Sequence, residues 1–94
     1  MPPSPRRVDL RLTIPAHAPF DAVAAELAGK FAEYAGAEAA AAQELARELE
    51  SSIVAIATAS PHASVKLEML AHERELVVTV NSGSTKKLTC PLPD

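Results

Sequence analysis

Few side chains in this sequence could do chemistry, and their spacing limits what chemistry that would be. The histidines are His17, His62 and His72, and the single cysteine is Cys90. Two histidines four apart on one helix face, with a glutamate between them, would hold a zinc ion. His72-Glu73 opens like that motif, but Leu76 stands where the second histidine belongs. Gly83-Ser84-Thr85-Lys86 has a single glycine. A phosphate cradle needs several, so that successive N–H groups converge, and then a helix to supply its dipole. A β-like segment follows here, so these residues read as a turn. Glu44, Glu48 and Glu50 are the carboxylates available for general acid or base work. Glu44 and Glu48 share a face beside Arg47, the pattern of a solvated helix side. Ser51 and Ser52 have no histidine nearby to activate a nucleophile. Cys90 lies near Lys86 and Lys87 but has no helix N-terminus or histidine to lower its pKa. Taken singly, these residues assemble no catalytic or metal site.

The elements that would position them alternate between two periods. Val8, Leu10, Leu12 and Ile14 alternate with Asp9, Arg11 and Thr13, which defines a strand with one buried face, ended by Pro15. Pro19 suits the first turn of a helix. Phe20, Val23, Ala24, Leu27, Ala28, Phe31 and Tyr34 then recur at three-and-four spacing, and Gly36 is placed to close that helix in a left-handed conformation. A second helix is expected from about Ala37 to Ala59, with Leu45, Leu49, Ser52, Ile53 and Ile56 as its stripe, extended by Ala41 and Ala42, and Ser60-Pro61 as its stop. The period then returns to two through Val65, Leu67 and Met69, and through Leu76, Val78 and Val80. His72-Glu73-Arg74-Glu75 forms the hairpin connection between them. Asn81-Ser82-Gly83-Ser84 is a second turn, and Leu88, Cys90 and Leu92 allow a last strand that Pro91 and Pro93 confine to an edge. The expected fold is an α+β two-layer sandwich of order β-α-α-β-β(-β). Two helices cover one face of a mainly antiparallel sheet, with Phe20, Val23, Leu27, Phe31, Leu45, Leu49 and Ile56 packed on Leu10, Leu12, Leu67, Val78 and Val80.

Size and charge narrow the classes of function. Ninety-four residues make one domain, taken as 8–94 behind a flexible, proline-rich tail at 1–7. The net charge of -3 argues against nucleic acid as the main ligand. No apolar run is long enough to span a membrane, and MPPSPRR lacks the apolar core of a secretory signal. A lone cysteine fits a reducing, cytoplasmic setting.

Three stretches carry a family resemblance: VDLRLTIPAHAPFDAVAAELAGKFAEYAG, QELARELESSIVAIATAS and ELVVTVNSG. Together they resemble the serine-kinase anti-sigma factors of the histidine-kinase-like ATPase superfamily. That family also runs strand, helix, long helix and strand hairpin, the last ending in D-x-G. The resemblance implies an ATP site whose second helix carries E-x-x-x-N, with the carboxylate near the attacking hydroxyl or water and the Asn on magnesium. One register sets Ser51 and Ala55 at those positions, and a shift by one sets Glu50 and Val54, so neither supplies both groups. Asn81 stands where the adenine-reading Asp would be, with Gly83 completing the motif, and the residues after Gly83 are too few for the family's glycine-containing lid.

The resemblance therefore implies the scaffold without the chemistry: a non-catalytic, regulatory protein-interaction module. By the same resemblance its partner would be a sigma factor or an anti-sigma-factor antagonist, and no cofactor is expected. The alternative is a residual ATP- and magnesium-binding serine kinase, with Glu50, Asn81 and Gly83 at the nucleotide. A further alternative is an unrelated small α/β domain. Because a single helical layer leaves the other sheet face open, and strand edges invite pairing, a homodimer or a bound partner is also expected.

Overall fold

The computed structural model describes residues 7–72 and 74–92. Its elements are β1 (Arg7–Pro15), α1 (Phe20–Tyr34), α2 (Ala39–Ala59), β2 (Ser64–His72), β3 (Glu75–Asn81) and β4 (Thr85–Pro91). The strands form one antiparallel sheet in the order β1-β2-β3-β4. Both helices sit in the β1–β2 connection, and the expected α+β order is the one observed, with the fourth strand present. The tail expected at 1–7 lies outside the described residues except for Arg7, which already belongs to β1. Glu73 of the hairpin and Pro93 are outside them as well.

Alternation builds the core side of the sheet. Val65, Leu67, Met69 and Ala71 on β2, Leu76, Val78 and Val80 on β3, and Leu88 and Cys90 on β4 are buried. The register sets Leu67 beside Leu12 and Val80, and Met69 beside Leu10 and Val78, so one apolar face runs across the sheet. Leu45, Leu49 and Ile53 of α2 are buried against it, and Ile56 is half-buried.

The helix ends follow local chemistry. Gly36 takes φ 110, its N–H donates to the Glu33 carbonyl at 3.0 Å, and the Ala37 N–H donates to the Ala32 carbonyl at 2.8 Å. That pair is the Schellman closure, and it needs a residue that tolerates the left-handed region. The Ala37 N–H is thereby committed to α1. The helix α2 begins at Ala39 and not at Ala37 because Glu38 is extended at φ -67, ψ 151 and serves as its N-cap, its carbonyl accepting from the Ala42 N–H at 2.9 Å. Pro19 is the N-cap of α1 behind a cis Ala18-Pro19 bond, and the Ala22 and Val23 N–H groups both reach its carbonyl at 3.1 Å.

The packing of α1 corrects the expected core. Its buried residues are Ala24, Ala25, Ala28 and Ala32, while Val23 is 55% and Leu27 37% exposed and Phe20 and Phe31 are half-buried. The alanine stripe lets α1 lie close on its neighbours. A Cβ added at Gly29 would stand 3.6 Å from the Ala46 Cβ and 3.7 Å from the Ala42 carbonyl oxygen of α2. Larger side chains on that line would hold the helices apart. The bulkier stripe is left on the flank of α1 that looks away from α2, past β1, where the described residues add no further strand.

Candidate functional site

Two surfaces of this scaffold are shaped to receive something. The first is a groove of about 430 Å³ between α2 and β4, lined by Arg47, Glu48, Ser51, Ser52, Ala55, Lys86 and Leu88. Residues 48, 52 and 55 share the flank of α2 nearest β4 because they recur at three-and-four spacing. Lys86 lies opposite Val80 in the register, so it stands on the helix side of the sheet, at the end of β4. Arg47 Nη1 donates to Glu44 Oε1 at 3.2 Å, and Ser52 Oγ donates to the Glu48 carbonyl at 2.9 Å, which ties that hydroxyl to its own helix. With Arg47 paired to Glu44, Lys86 and Glu48 leave the groove close to neutral.

The groove separates the two registers of the second helix. Ser51 and Ala55 line it, whereas Glu50 and Val54 do not. Glu50 is one turn beyond Ala46, which meets α1 at Gly29, so it lies half-buried on the α1 side of the helix. Asn81 alternates with the buried Val80 and therefore sits on the sheet face opposite the helices. There it borders a depression of about 420 Å³ with Arg11, Thr13, Lys66, Glu68 and Thr79, and its Nδ2 donates to Thr85 Oγ1 at 3.2 Å. Gly83 occupies the β3–β4 turn at φ 84, with nothing within 4 Å of where a Cβ would be. The structure thus does not bring Glu50, Asn81 and Gly83 together.

The second surface joins α1 to the edge of the sheet. Val23, Leu27 and Tyr34 are 55%, 37% and 79% exposed, and Phe20, Phe31, Leu10, Leu12 and Ile14 beside them are only half-buried. Sequence periodicity assigned this stripe to the core. The signal that places it outside is the neighbouring run Ala24, Ala28, Ala32, small residues four apart that pack closely while adding little hydropathy. The open sheet face is mixed: Arg11 Nε bridges Glu68 at 3.2 Å and Asp9 at 3.6 Å, and Leu70 lies half-buried opposite Val77.

The histidines are dispersed. His17 is exposed before α1, with its ring edge-on to Phe20 at 5.4 Å. His62 is exposed in the turn before β2, and His72 ends β2. Among the described residues no three His, Cys, Asp or Glu side chains are grouped to hold a metal ion. Cys90 is 2% exposed beneath the helices, and burial pushes its thiol pKa up. Also among the described residues, no helix is long and apolar enough to cross a membrane. The chain matches no protein-family model, no curated protein and no solved structure.

Proposed function

We propose that this chain is a non-catalytic protein-interaction module acting in the cytoplasm, with a regulatory role of the anti-sigma kind. The observation that carries the reading is the exposed apolar flank of α1, Val23, Leu27 and Tyr34, lying beside the edge strand β1. Contiguous exposed apolar surface of this kind marks docking sites, whereas scattered surface leucines do not. The resemblance suggests a sigma factor or its antagonist as partner, and the net charge of -3 speaks for protein over nucleic acid. The test is affinity capture from the native host with the wild-type chain and with the Val23→Lys/Leu27→Lys variant. Recovery of a sigma factor or antagonist by the wild type, lost in the variant, supports the reading. Recovery that ignores the substitutions, or capture of neither partner, overturns it.

A second reading, residual nucleotide binding, is favoured by the groove where Arg47 and Lys86 flank Ser51. Cations there would suit a phosphate chain, although Ala55 offers no oxygen to a magnesium ion, which takes oxygen donors. Calorimetry with ATP and magnesium separates the two readings. No heat, and no phosphate release, is the outcome expected of the interaction module. Micromolar binding that weakens in Lys86→Ala, or phosphate release that stops in Arg47→Ala or Lys86→Ala, favours the nucleotide reading instead.

A further inference from the structure

The two edges of the sheet are built differently. In an antiparallel strand the N–H and C=O of alternate residues point to opposite sides. The Ala16 N–H donates to the Ala63 carbonyl at 2.9 Å, so the even-numbered residues of β1 turn to β2 and Asp9, Arg11, Thr13 and Pro15 face outward. The Leu92 N–H donates to the Arg74 carbonyl at 2.7 Å, which by the same alternation turns Lys87, Thr89 and Pro91 of β4 outward. The β4 edge is therefore blunted, since Pro91 has no N–H to offer and Lys86 and Lys87 stand in sequence on it. On β1 the proline comes only at the end, at Pro15, and a regular run of outward groups precedes it.

We propose that the β1 edge pairs antiparallel with β1 of a second copy of this chain, with Leu10 opposite its own symmetry mate. The proposal rests on the interaction-module reading: a second copy occupies the apolar flank, and a sigma factor or antagonist docking there would have to displace it. Outward groups belong to odd-numbered residues, so only registers that oppose odd with odd can bond. Centring the pair on Arg11 sets Arg11 against itself, and centring it on Asp9 sets Asp9 against itself. Centring on Leu12 puts Asp9 opposite Pro15, which cannot donate, and centring on Val8 pairs Asp9 with Arg7 but leaves Arg11 and Thr13 beyond the partner's β1. Centring on Leu10 places Asp9 opposite Arg11 of the other copy, and Arg11 opposite its Asp9. Two opposite-charge pairs then flank an apolar centre. Arg11 bridges Asp9 and Glu68 within the chain, but its side chain and that of Asp9 stay 71% and 45% exposed on one sheet face, so the intermolecular pairs exchange one exposed bridge for another. The same two-fold brings the outer flanks of the two α1 helices face to face across the new sheet. Val23, Leu27 and Tyr34, which edge hydrogen bonds alone would leave in water, are covered by that approach.

The charge pairs make a specific test. Asp9→Arg and Arg11→Asp each set like charges across the dyad. A one-to-one mixture of the two variants restores both attractions, because one chain then carries two arginines and the other two aspartates. By sedimentation equilibrium the wild type is expected at twice the chain mass, each variant alone at the chain mass, and the mixture again at twice it, as a heterodimer. Circular dichroism checks that each variant is folded. Hydrogen exchange of the wild type gives an independent reading: the Asp9, Arg11 and Thr13 amides should be protected at high concentration and lose that protection on dilution. A monomeric wild type, variants that dimerise as it does, a mixture that stays monomeric, or edge amides that exchange fast at every concentration would each overturn the dimer. If the wild type is monomeric but Val23→Lys/Leu27→Lys still abolishes capture of a sigma factor or antagonist, the dimer fails alone and the interaction module stands.

Discussion

Leu49 lies at the centre of α2 with no exposed surface, among Leu45, Ile53 and the core face of the sheet. Its truncation leaves a cavity that two helices and four strands cannot all move to fill. Leu49→Ala is expected to lower the unfolding free energy by about 2–5 kcal/mol, read from urea denaturation. Cys90 gives a second reading of the same interior. Its thiol is buried and its pKa raised by desolvation, so the reactive thiolate is scarce in the folded state. Labelling by a disulfide reagent at neutral pH should be slow and should accelerate sharply in denaturant. The raised pKa also has a sign: its contribution to stability is complete below the usual thiol range and is lost as pH rises through the folded value. Fast labelling of the native protein would mean that β4 opens locally.

At the scale of elements, the glycine inside α1 and the glycine that closes it should respond in opposite directions. Gly29 is inside the helix, and an added Cβ meets Ala46 at 3.6 Å, an ordinary contact. Gly29→Ala should stabilise the protein by about 0.5–1 kcal/mol through helix propensity. Gly36 sits at φ 110 with open space around it, so the cost of a side chain there is backbone strain alone. Gly36→Ala should destabilise by about 1–2 kcal/mol. Thermal melts of the two variants check both signs together. The pair tests the account of α1 given above, in which a close helix–helix seam and a left-handed closure set its position.

For the whole molecule, the open β1 edge and the apolar flank beside it couple stability to assembly. If the native state is a β1-paired dimer, the melting midpoint of the wild type should rise with protein concentration. The midpoint of Arg11→Asp should not. Both can be followed by calorimetry over a hundredfold range of concentration, and a wild-type midpoint that stays constant would count against the edge-paired assembly. Val23→Lys, on the exposed flank, should shift the monomer's own stability by no more than about 0.5 kcal/mol, because among the described residues that position is 55% exposed.

Local periodicity by itself determined the elements of this protein. The alternation of Val65, Leu67 and Met69, the helical stripe of Leu45, Leu49 and Ile53, the Gly36 closure and the Asn81–Ser84 turn are all short-range consequences of backbone geometry, and each lies where the residues predict. Even the edge position of β4 was legible in Pro91, whose missing N–H suits a free edge. What periodicity could not decide is which of two adjacent stripes on α1 faces inward. Hydropathy favours Phe20, Val23, Leu27 and Phe31, but the approach of α2 at Gly29 and Ala46 admits only the alanine side. That choice depends on residues more than a dozen positions away. The grouping of site residues is non-local in the same sense. Arg47 and Lys86 meet at one groove because α2 packs on β4, while Glu50 and Asn81 are turned to different sides by the rotation of a helix and the alternation of a strand. Helix rotation and strand pairing are settled only when the layers pack, which is why the exposed flank and the open edge belong to the tertiary structure.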